Sequence, residues 1–271
     1  MMLGPLRRTP AVAQRQQRFR RGVYLLPSLF TLANMFCGYA CVVHAMHGEF
    51  DVAAPYIGYA IVLDMLDGRI ARLTGTSSAF GLEFDSLADI ISFGVAPAIL
   101  SFAWGLQPLG RWGWAAGFMF VTAAAMRLAR FNIQSGTVDK RYFVGMPSPA
   151  AAAVPAATVF AYPAGLMDPR EALPAVAMVL IPAFLMVSTV RFRSFKTIDL
   201  QSRRSYTILL ALAAGIAAIM AHPRLVLVIL AYAYLASGLI ALAYNRLRRR
   251  DTEVPAEPAV ATDASPHEPA S

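Results

Sequence analysis

Long runs of apolar residues, separated by short polar or basic connections, recur along the chain from about Leu25 to Tyr244. A helix needs about 20 mostly apolar residues to cross the hydrocarbon core of a bilayer, and these runs have about that length. The pattern predicts an all-α integral membrane protein with about eight transmembrane helices. Their predicted ranges are 26–47, 52–72, 83–104, 112–133, 148–166, 172–190, 205–221 and 224–246.

Composition supports this interpretation and excludes an ordinary soluble domain. Hydrophobic residues make up 57% of the 271 residues and charged residues only 15%, against roughly 25% charged in typical soluble domains. The formal net charge of +8 is compatible with nucleic-acid binding, but the basic residues cluster at the chain ends and between apolar runs. That distribution favours a role in membrane topology, so no nucleic-acid partner is expected.

Basic residues occupy alternate connections, and Lys and Arg near helix ends favour the cytoplasmic side. Both termini and these connections are therefore predicted to face the cytoplasm, with the protein in the inner membrane. The basic residues concerned are Arg7, Arg8, Arg15, Arg18, Arg20 and Arg21; Arg127, Arg130, Lys140 and Arg141; Arg191, Arg193, Lys196, Arg203 and Arg204; and Arg246, Arg248, Arg249 and Arg250.

These patterns divide the chain into three parts. Residues 1–24 form a basic cytoplasmic segment, whose arginines either lie along the membrane interface or serve only as topology signals. Residues 25–247 form the transmembrane domain. Residues 248–271 are rich in Pro, Ala and acidic residues, and we expect a disordered cytoplasmic tail because they offer little apolar surface to bury.

Four aspartates at the second connection are the main candidates for chemistry, because ionisable residues at membrane depth are costly and mark functional sites. Asp64 and Asp67 are three residues apart, and Asp85 and Asp89 are four apart, so each pair shares one helix face. The short link between the helices brings the pairs together. Carboxylates that converge in this way would repel one another without cations, and oxygen ligands suit Mg²⁺ or Mn²⁺. We therefore predict a site for two divalent cations.

Small and basic residues accompany the aspartates. Gly68 and Gly81 remove side chains beside the carboxylates, either to let a nucleotide or pyrophosphate approach the backbone or to let helices pack closely. Arg72 can hold a phosphate in a bidentate contact or can serve as a topology anchor.

Together these residues fit D-x2-D-G-x2-A-R-x8-G-x3-D-x3-D from Asp64 to Asp89 at each fixed position. The string resembles the signature of the CDP-alcohol phosphatidyltransferase family. The resemblance implies that Asp64, Asp67 and Asp85 hold two divalent cations. It implies that Asp89 contacts one of them and is the base that deprotonates the acceptor alcohol. It also implies a CDP-lipid site that includes Gly68, Arg72, Ser78 and Gly81.

Further segments resemble the phosphatidylserine synthase branch of that family. They are Leu26–Asn34, Glu83–Pro97, Met126–Asn132 and Phe143–Ala150, with Ser28 standing where the branch has Asn. This second resemblance implies CDP-diacylglycerol and L-serine as substrates, phosphatidylserine and CMP as products, and a homodimer.

Serine carries a carboxylate and an ammonium group, so its pocket needs a cationic and an anionic partner. Arg127 and Arg130 share a helix face and are candidates for the carboxylate, although both also fit a topology role. Glu83 is a candidate for the ammonium group, or it interacts favourably with the helix dipole.

Two other functions remain open. The same chemistry could serve another acceptor, such as glycerol 3-phosphate or inositol phosphate, although a phosphorylated acceptor requires a more cationic pocket. Intramembrane aspartates also occur in cation transporters. The Gly and Arg residues around the aspartates favour a phosphate ligand over a bare ion.

Overall fold

The computed structural model describes residues 10–74, 78–134, 142–188, 191–193 and 205–250, and almost all of these are helical. A helix coincides with each of the eight predicted segments. The helices are α1 (Pro10–Met46), α2 (Phe50–Thr74), α3 (Ala79–Ile90), α4 (Ala96–Ser101), α5 (Arg111–Gln134), α6 (Ser148–Ala161), α7 (Pro169–Val187), α8 (Ser205–Ala221) and α9 (Pro223–Arg250). The first three residues of the predicted tail, 248–250, belong to α9. The rest of that tail, from 251 onward, and residues 1–9 lie outside the described residues.

Four helical segments of the described chain are long and apolar enough to cross a membrane. They are Ser28–Met46, Ala79–Leu109, Pro169–Val187 and Pro223–Ala243. Helix α2 carries several charged residues, including the aspartates of the motif, and α6 has only 14 residues. The membrane character is thereby established, while the full number of eight crossings stays a prediction.

Helix α1 continues without a break from the predicted basic segment into the first apolar run. Its 37 residues would extend for about 55 Å at 1.5 Å per residue, more than the roughly 30 Å of a hydrocarbon core. The basic segment is therefore helical from Pro10 onward and forms one continuous helix with the first predicted span.

The third predicted span, 83–104, lies within one continuous helical run, Ala79–Leu109, which has two local changes of winding. π-helical turns at Ile91–Val95 and Phe102–Leu106 flank α4, and a 3₁₀ turn ends the run. π turns inside helices are frequent at functional sites. The first of them begins two residues after Asp89, at the point where the run packs against α1.

Helices α1 and α2 pack along each other, α5 packs against α7, and α6 lies between α2, α4 and α9. Many of the contacts involve alanine; on α6, for example, Ala151 and Ala152 are fully buried. Small side chains let membrane helices approach closely, because packing rather than water exclusion drives their association. Helix α8 packs chiefly on α9 and exposes most of its described residues.

Two short strands were not predicted from the sequence. Strand β1 (Tyr142–Val144) pairs with β2 (Arg191–Arg193) in antiparallel register, with Phe143 opposite Phe192. The following Gly145 has a positive φ of 85°, and the N–H of Met146 donates to the carbonyl of Leu185 at 3.0 Å. The ends of α5 and α7 are joined in this way on the side where both predicted connections are basic.

Candidate active site

The first pair of carboxylates lies near the C-terminal end of α2. Asp64 and Asp67 are one helical turn apart on the same face. Asp67 is buried, with 4% of its surface exposed, and Asp64 is half-buried. The hydroxyl of Thr31 on α1 donates to Oδ2 of Asp67 at 3.2 Å. Such partners are needed because an unpaired charge at this depth is costly.

The second pair lies on α3. Ser78 caps this helix: its Oγ accepts a hydrogen bond from the N–H of Gly81 at 3.0 Å. The cap satisfies a backbone donor that the first turn leaves unpaired, so the helix begins at Ala79. Asp85 and Asp89 follow four residues apart on one face, and both are half-buried.

Three of the four carboxylates converge. Asp64, Asp67 and Asp85 each contribute an oxygen, and these oxygens lie within 4.8 Å of one another. Oδ1 of Asp85 is buried and has no hydrogen-bond partner among the described residues. A set of carboxylate oxygens with one oxygen unsatisfied fits a hard divalent cation, which also removes the repulsion between the charges. These residues therefore fit Mg²⁺ or Mn²⁺.

Asp89 lies one turn beyond Asp85, outside the three-carboxylate group, and has different neighbours. Its Oδ1 accepts a hydrogen bond from Nδ2 of Asn34 at 3.4 Å. The guanidinium of Arg127 interacts electrostatically with Asp89 and with Asp64. Asp89 therefore lies beside the candidate metal site, with an amide donor of its own and an arginine that it shares with Asp64.

Thr31 and Asn34 on α1 were not predicted as site residues, although each contacts an aspartate of the motif. Both are buried, and Asn34 has no exposed surface. A signal was present in the sequence, since two polar residues three apart in an apolar run share a helix face. What the sequence did not indicate is that this face of α1 packs on the carboxylates.

Arg127 and Arg130 meet at one cavity, as their predicted shared face requires. The cavity has a volume of about 350 Å³ and is lined by Met126, Arg127, Ala129, Arg130, Ile133 and Val187. Nη1 of Arg127 donates to Oγ of Ser148 at 2.8 Å, and its Nε is buried without a partner among the described residues. Nη1 of Arg130 donates to the carbonyl of Val187 at 3.2 Å. Both arginines thus bring a positive charge to the wall of this cavity.

The remaining predicted site residues are Gly68, Gly81, Glu83 and Arg72. Gly68 is half-buried on α2, Gly81 is engaged with the Ser78 cap, and Glu83 is exposed on α3 outside the three-carboxylate group. The side chain of Arg72 lies outside the described part of the structure. Nearby, Asn132 on α5 donates from Nδ2 to Oγ of Ser86 at 3.0 Å, which ties α5 to the helix of the second pair.

Comparison with known proteins agrees with the site. The family profile described as CDP-alcohol phosphatidyltransferase matches residues 24–190, a range that includes the four aspartates. A CDP-diacylglycerol–serine O-phosphatidyltransferase of Helicobacter pylori (strain ATCC 700392 / 26695) is 40% identical over 184 residues, covering 65% of this chain and 75% of the relative.

Two further similar proteins carry the same name. The protein of Bacillus subtilis (strain 168) is 30% identical over 171 residues, which is 63% of this chain and 91% of that protein. The protein of Mycobacterium leprae (strain TN) is 41% identical over 144 residues, or 50% and 47% of the two chains. With the profile match, the intact motif and the convergence of its carboxylates, this chain belongs to the CDP-alcohol phosphatidyltransferase family.

Proposed function

We propose that this membrane enzyme transfers the phosphatidyl group of CDP-diacylglycerol to L-serine, giving phosphatidylserine and CMP. The convergence of Asp64, Asp67 and Asp85, with Asp89 one turn away, carries the proposal. Phosphoryl transfer from a nucleotide needs charge neutralisation and a proton acceptor close together, and this cluster offers both. The serine acceptor is supported by the similar proteins from three bacteria, each named CDP-diacylglycerol–serine O-phosphatidyltransferase.

In the proposed reaction, the serine hydroxyl oxygen forms a bond to the β-phosphorus of CDP-diacylglycerol. The bond from that phosphorus to the bridging oxygen breaks, and its electron pair leaves with CMP. The hydroxyl proton passes to the carboxylate of Asp89. Divalent cations held by Asp64, Asp67 and Asp85, with Asp89 contacting one, would neutralise charge on the departing CMP.

We assign the serine carboxylate to the cavity beside Arg127 and Arg130. The position of both guanidinium side chains at this cavity supports the assignment, because a guanidinium binds a carboxylate through charge-assisted hydrogen bonds. Arg127 also interacts electrostatically with Asp89, the proposed base. Glu83 remains our candidate for the serine ammonium group.

We place the CDP-lipid along Gly68, Arg72, Ser78 and Gly81, with its acyl chains extending sideways into the bilayer. The exposed N-terminal turns of α3 support this arrangement, since Phe80 and Leu82 offer apolar surface to lipid. We further propose that the site and both termini face the cytoplasm across the inner membrane, on the distribution of basic residues. A homodimer follows from the family resemblance.

The test is CMP release by the purified protein with CDP-diacylglycerol and Mn²⁺ or Mg²⁺. L-serine, glycerol 3-phosphate and inositol phosphate are compared as acceptors, and Asp89→Asn is assayed in parallel. We expect metal-dependent release with serine and a loss of about 10²- to 10⁴-fold in Asp89→Asn, the usual contribution of a general base.

Each result is decisive for one part of the proposal. Release only with glycerol 3-phosphate or inositol phosphate would refute serine and retain the family chemistry. Undiminished turnover in Asp89→Asn would refute the role of the base. Absence of metal-dependent CMP release with every acceptor would favour cation transport.

A further inference from the structure

Between Thr31 and Ala45, one face of α1 is buried, and it contacts the acidic site through Thr31 and Asn34. Thr31, Asn34, Cys41 and Ala45 lie on this face and have at most 4% of their surface exposed. Thr31 reaches Asp67 and Asn34 reaches Asp89. Because Asn34 has no exposed surface, its side chain is out of reach of a substrate in this structure. Its role is therefore exerted through Asp89.

The chemistry of the amide fixes its orientation. Nδ2 of Asn34 donates to Oδ1 of Asp89 at 3.4 Å, while its own Oδ1 is buried without a partner among the described residues. Rotating the amide by half a turn would place Oδ1 against the carboxylate, and two acceptors would then face each other. The carboxylate therefore selects the orientation in which Asn34 donates.

A second contact holds the backbone of Asn34 against the span that carries Asp89. Oγ of Ser92 donates to the carbonyl of Asn34 at 2.9 Å. Ser92 is fully buried and lies in the π turn that begins two residues after Asp89. Asn34 thus binds the same helical run at two positions: its side-chain amide donates to Asp89, and its backbone carbonyl accepts from Ser92.

Gly38 explains how the two helices come so close. A Cβ atom at this position would lie 2.6 Å from Oγ and 2.8 Å from Cα of Ser92. Contacts below 3.0 Å are not tolerated by real Cβ atoms, and here one of the opposing atoms is backbone. A glycine one turn after Asn34 therefore allows the Ser92 contact to form.

We propose that Asn34 is a positioning residue: its amide holds the carboxylate of Asp89 in the rotamer that receives the proton of the acceptor alcohol, and Ser92 keeps that amide in place. The inference rests on the proposed phosphatidyl transfer and adds to it a residue outside the family signature. Asn34 makes no contact with substrate in this role, so its removal should affect turnover rather than substrate binding.

The experiment measures steady-state CMP release for the wild type, Asn34→Ala, Asp89→Glu and the double variant. Supporting partners of a reactive site typically contribute 10- to 100-fold. We expect Asn34→Ala to lower kcat by about that factor, with KM for both substrates and the half-activating Mn²⁺ concentration changed less than about 3-fold. In Asp89→Glu, whose carboxylate is displaced from the amide, adding Asn34→Ala should change kcat by less than about 3-fold.

Cys41→Ala is the matched control. Cys41 is fully buried on the same face of α1, seven residues beyond Asn34, so its truncation reports the cost of disturbing that packing. We expect Cys41→Ala to retain the kcat of the wild type. Should Asn34→Ala not purify as a folded protein, Ser92→Ala takes its place, with an expected fall in kcat and unchanged KM.

Several results would overturn the inference. One is a wild-type kcat in Asn34→Ala, and another is a change confined to KM. A third is an equal fall in kcat when Asn34→Ala is added to the wild type and to Asp89→Glu. A fourth is a fall in kcat in Cys41→Ala as large as that in Asn34→Ala. With Asn34→Ala unfolded, a wild-type kcat in Ser92→Ala would do the same. The comparison uses whichever acceptor alcohol supports CMP release. If serine alone fails, the serine assignment is refuted, and the ratio of kcat between Asn34→Ala and the wild type still tests the role of Asn34. Absence of release from the wild type with every acceptor refutes both proposals.

Discussion

Asp67 shows how a single residue is adapted to this membrane site. It is the most buried of the four aspartates, and its neighbours are a hydroxyl on α1 and two further carboxylates. Hydrogen bonds from neutral donors, the hydroxyl of Thr31 and the backbone N–H of Gly68, offset only part of the cost of a buried charge. The remaining cost, together with the repulsion from Asp64 and Asp85, is what a divalent cation would offset.

Replacing Asp67 with asparagine removes the negative charge of this side chain and keeps its shape. Asparagine still offers an oxygen to Thr31, so the fold should be retained, while the metal site loses one negative ligand. Since a metal ion supplies several kcal/mol of transition-state stabilisation, we expect CMP release to fall by at least about 100-fold and half-activation to need more Mn²⁺. Release assayed across a Mn²⁺ series measures both effects.

Asp51→Asn is the control for this change. Asp51 is exposed in the first turn of the same helix, α2, far along the rod from the three-carboxylate group. We expect its substitution to leave the Mn²⁺ response unchanged. A wild-type Mn²⁺ response in Asp67→Asn would contradict the assignment of Asp67 as a ligand.

At the scale of elements, the turn between β1 and α6 depends on one backbone conformation. Gly145 has a φ of 85°, and a Cβ atom there would lie 2.4 Å from the carbonyl oxygen of Met186. For residues other than glycine, a backbone with positive φ costs about 1–2 kcal/mol, in addition to any steric clash. This turn leads into α6, whose Ser148 accepts a hydrogen bond from Arg127, so its geometry bears on the cavity beside Arg127 and Arg130.

Gly145→Ala should therefore destabilise the protein by more than about 1–2 kcal/mol, which lowers the melting temperature by roughly 2–4 °C per kcal/mol for a chain of this size. Thermal unfolding in detergent, followed by the loss of the monodisperse gel-filtration peak, measures the change. Gly215→Ala is the comparison, because Gly215 lies inside α8 and, among the described residues outside its own helical turns, no atom lies within 4 Å of the added Cβ. There we expect no loss, since alanine is the better helix former; equal losses at both positions would contradict this account.

For the whole molecule, the orientation in the membrane decides which compartment supplies the substrates. The span Ala79–Leu109 begins next to the acidic site and ends at a connection with few basic residues. If basic connections face the cytoplasm, Ala79 lies on the cytoplasmic side and Gln107 on the opposite side. Both residues are exposed, which makes them suitable reporters.

Orientation can be measured with a membrane-impermeant thiol reagent in spheroplasts. In a background with Cys37→Ala and Cys41→Ala, Gln107→Cys should be labelled in intact spheroplasts, whereas Ala79→Cys should be labelled only after permeabilisation. The background protein without added cysteine provides the blank. Labelling of Ala79→Cys alone in intact spheroplasts would mean the reverse orientation.

Much of this architecture could be predicted from local sequence. Apolar runs of membrane-spanning length predicted helices in eight places, and a helix is present in each, because the bilayer requires backbone polar groups to be paired within one segment. Helix ends were less accurate. Helix α7 begins at Pro169 rather than 172, since the side chain of Asp168 accepts from the N–H of Arg170 and starts the helix earlier.

The sequence by itself also determined the acidic motif and its pairing into two helix faces, because side chains three or four residues apart on a helix must share a face. Only the tertiary structure decided what surrounds them. The contacts of Thr31 with Asp67 and of Asn34 with Asp89 join residues 36 and 55 positions apart, and no local periodicity encodes which face of α1 packs there. The cavity beside Arg127 and the β1–β2 pair likewise depend on how distant helix ends meet, so their physical origin lies in packing rather than in the pattern along the chain.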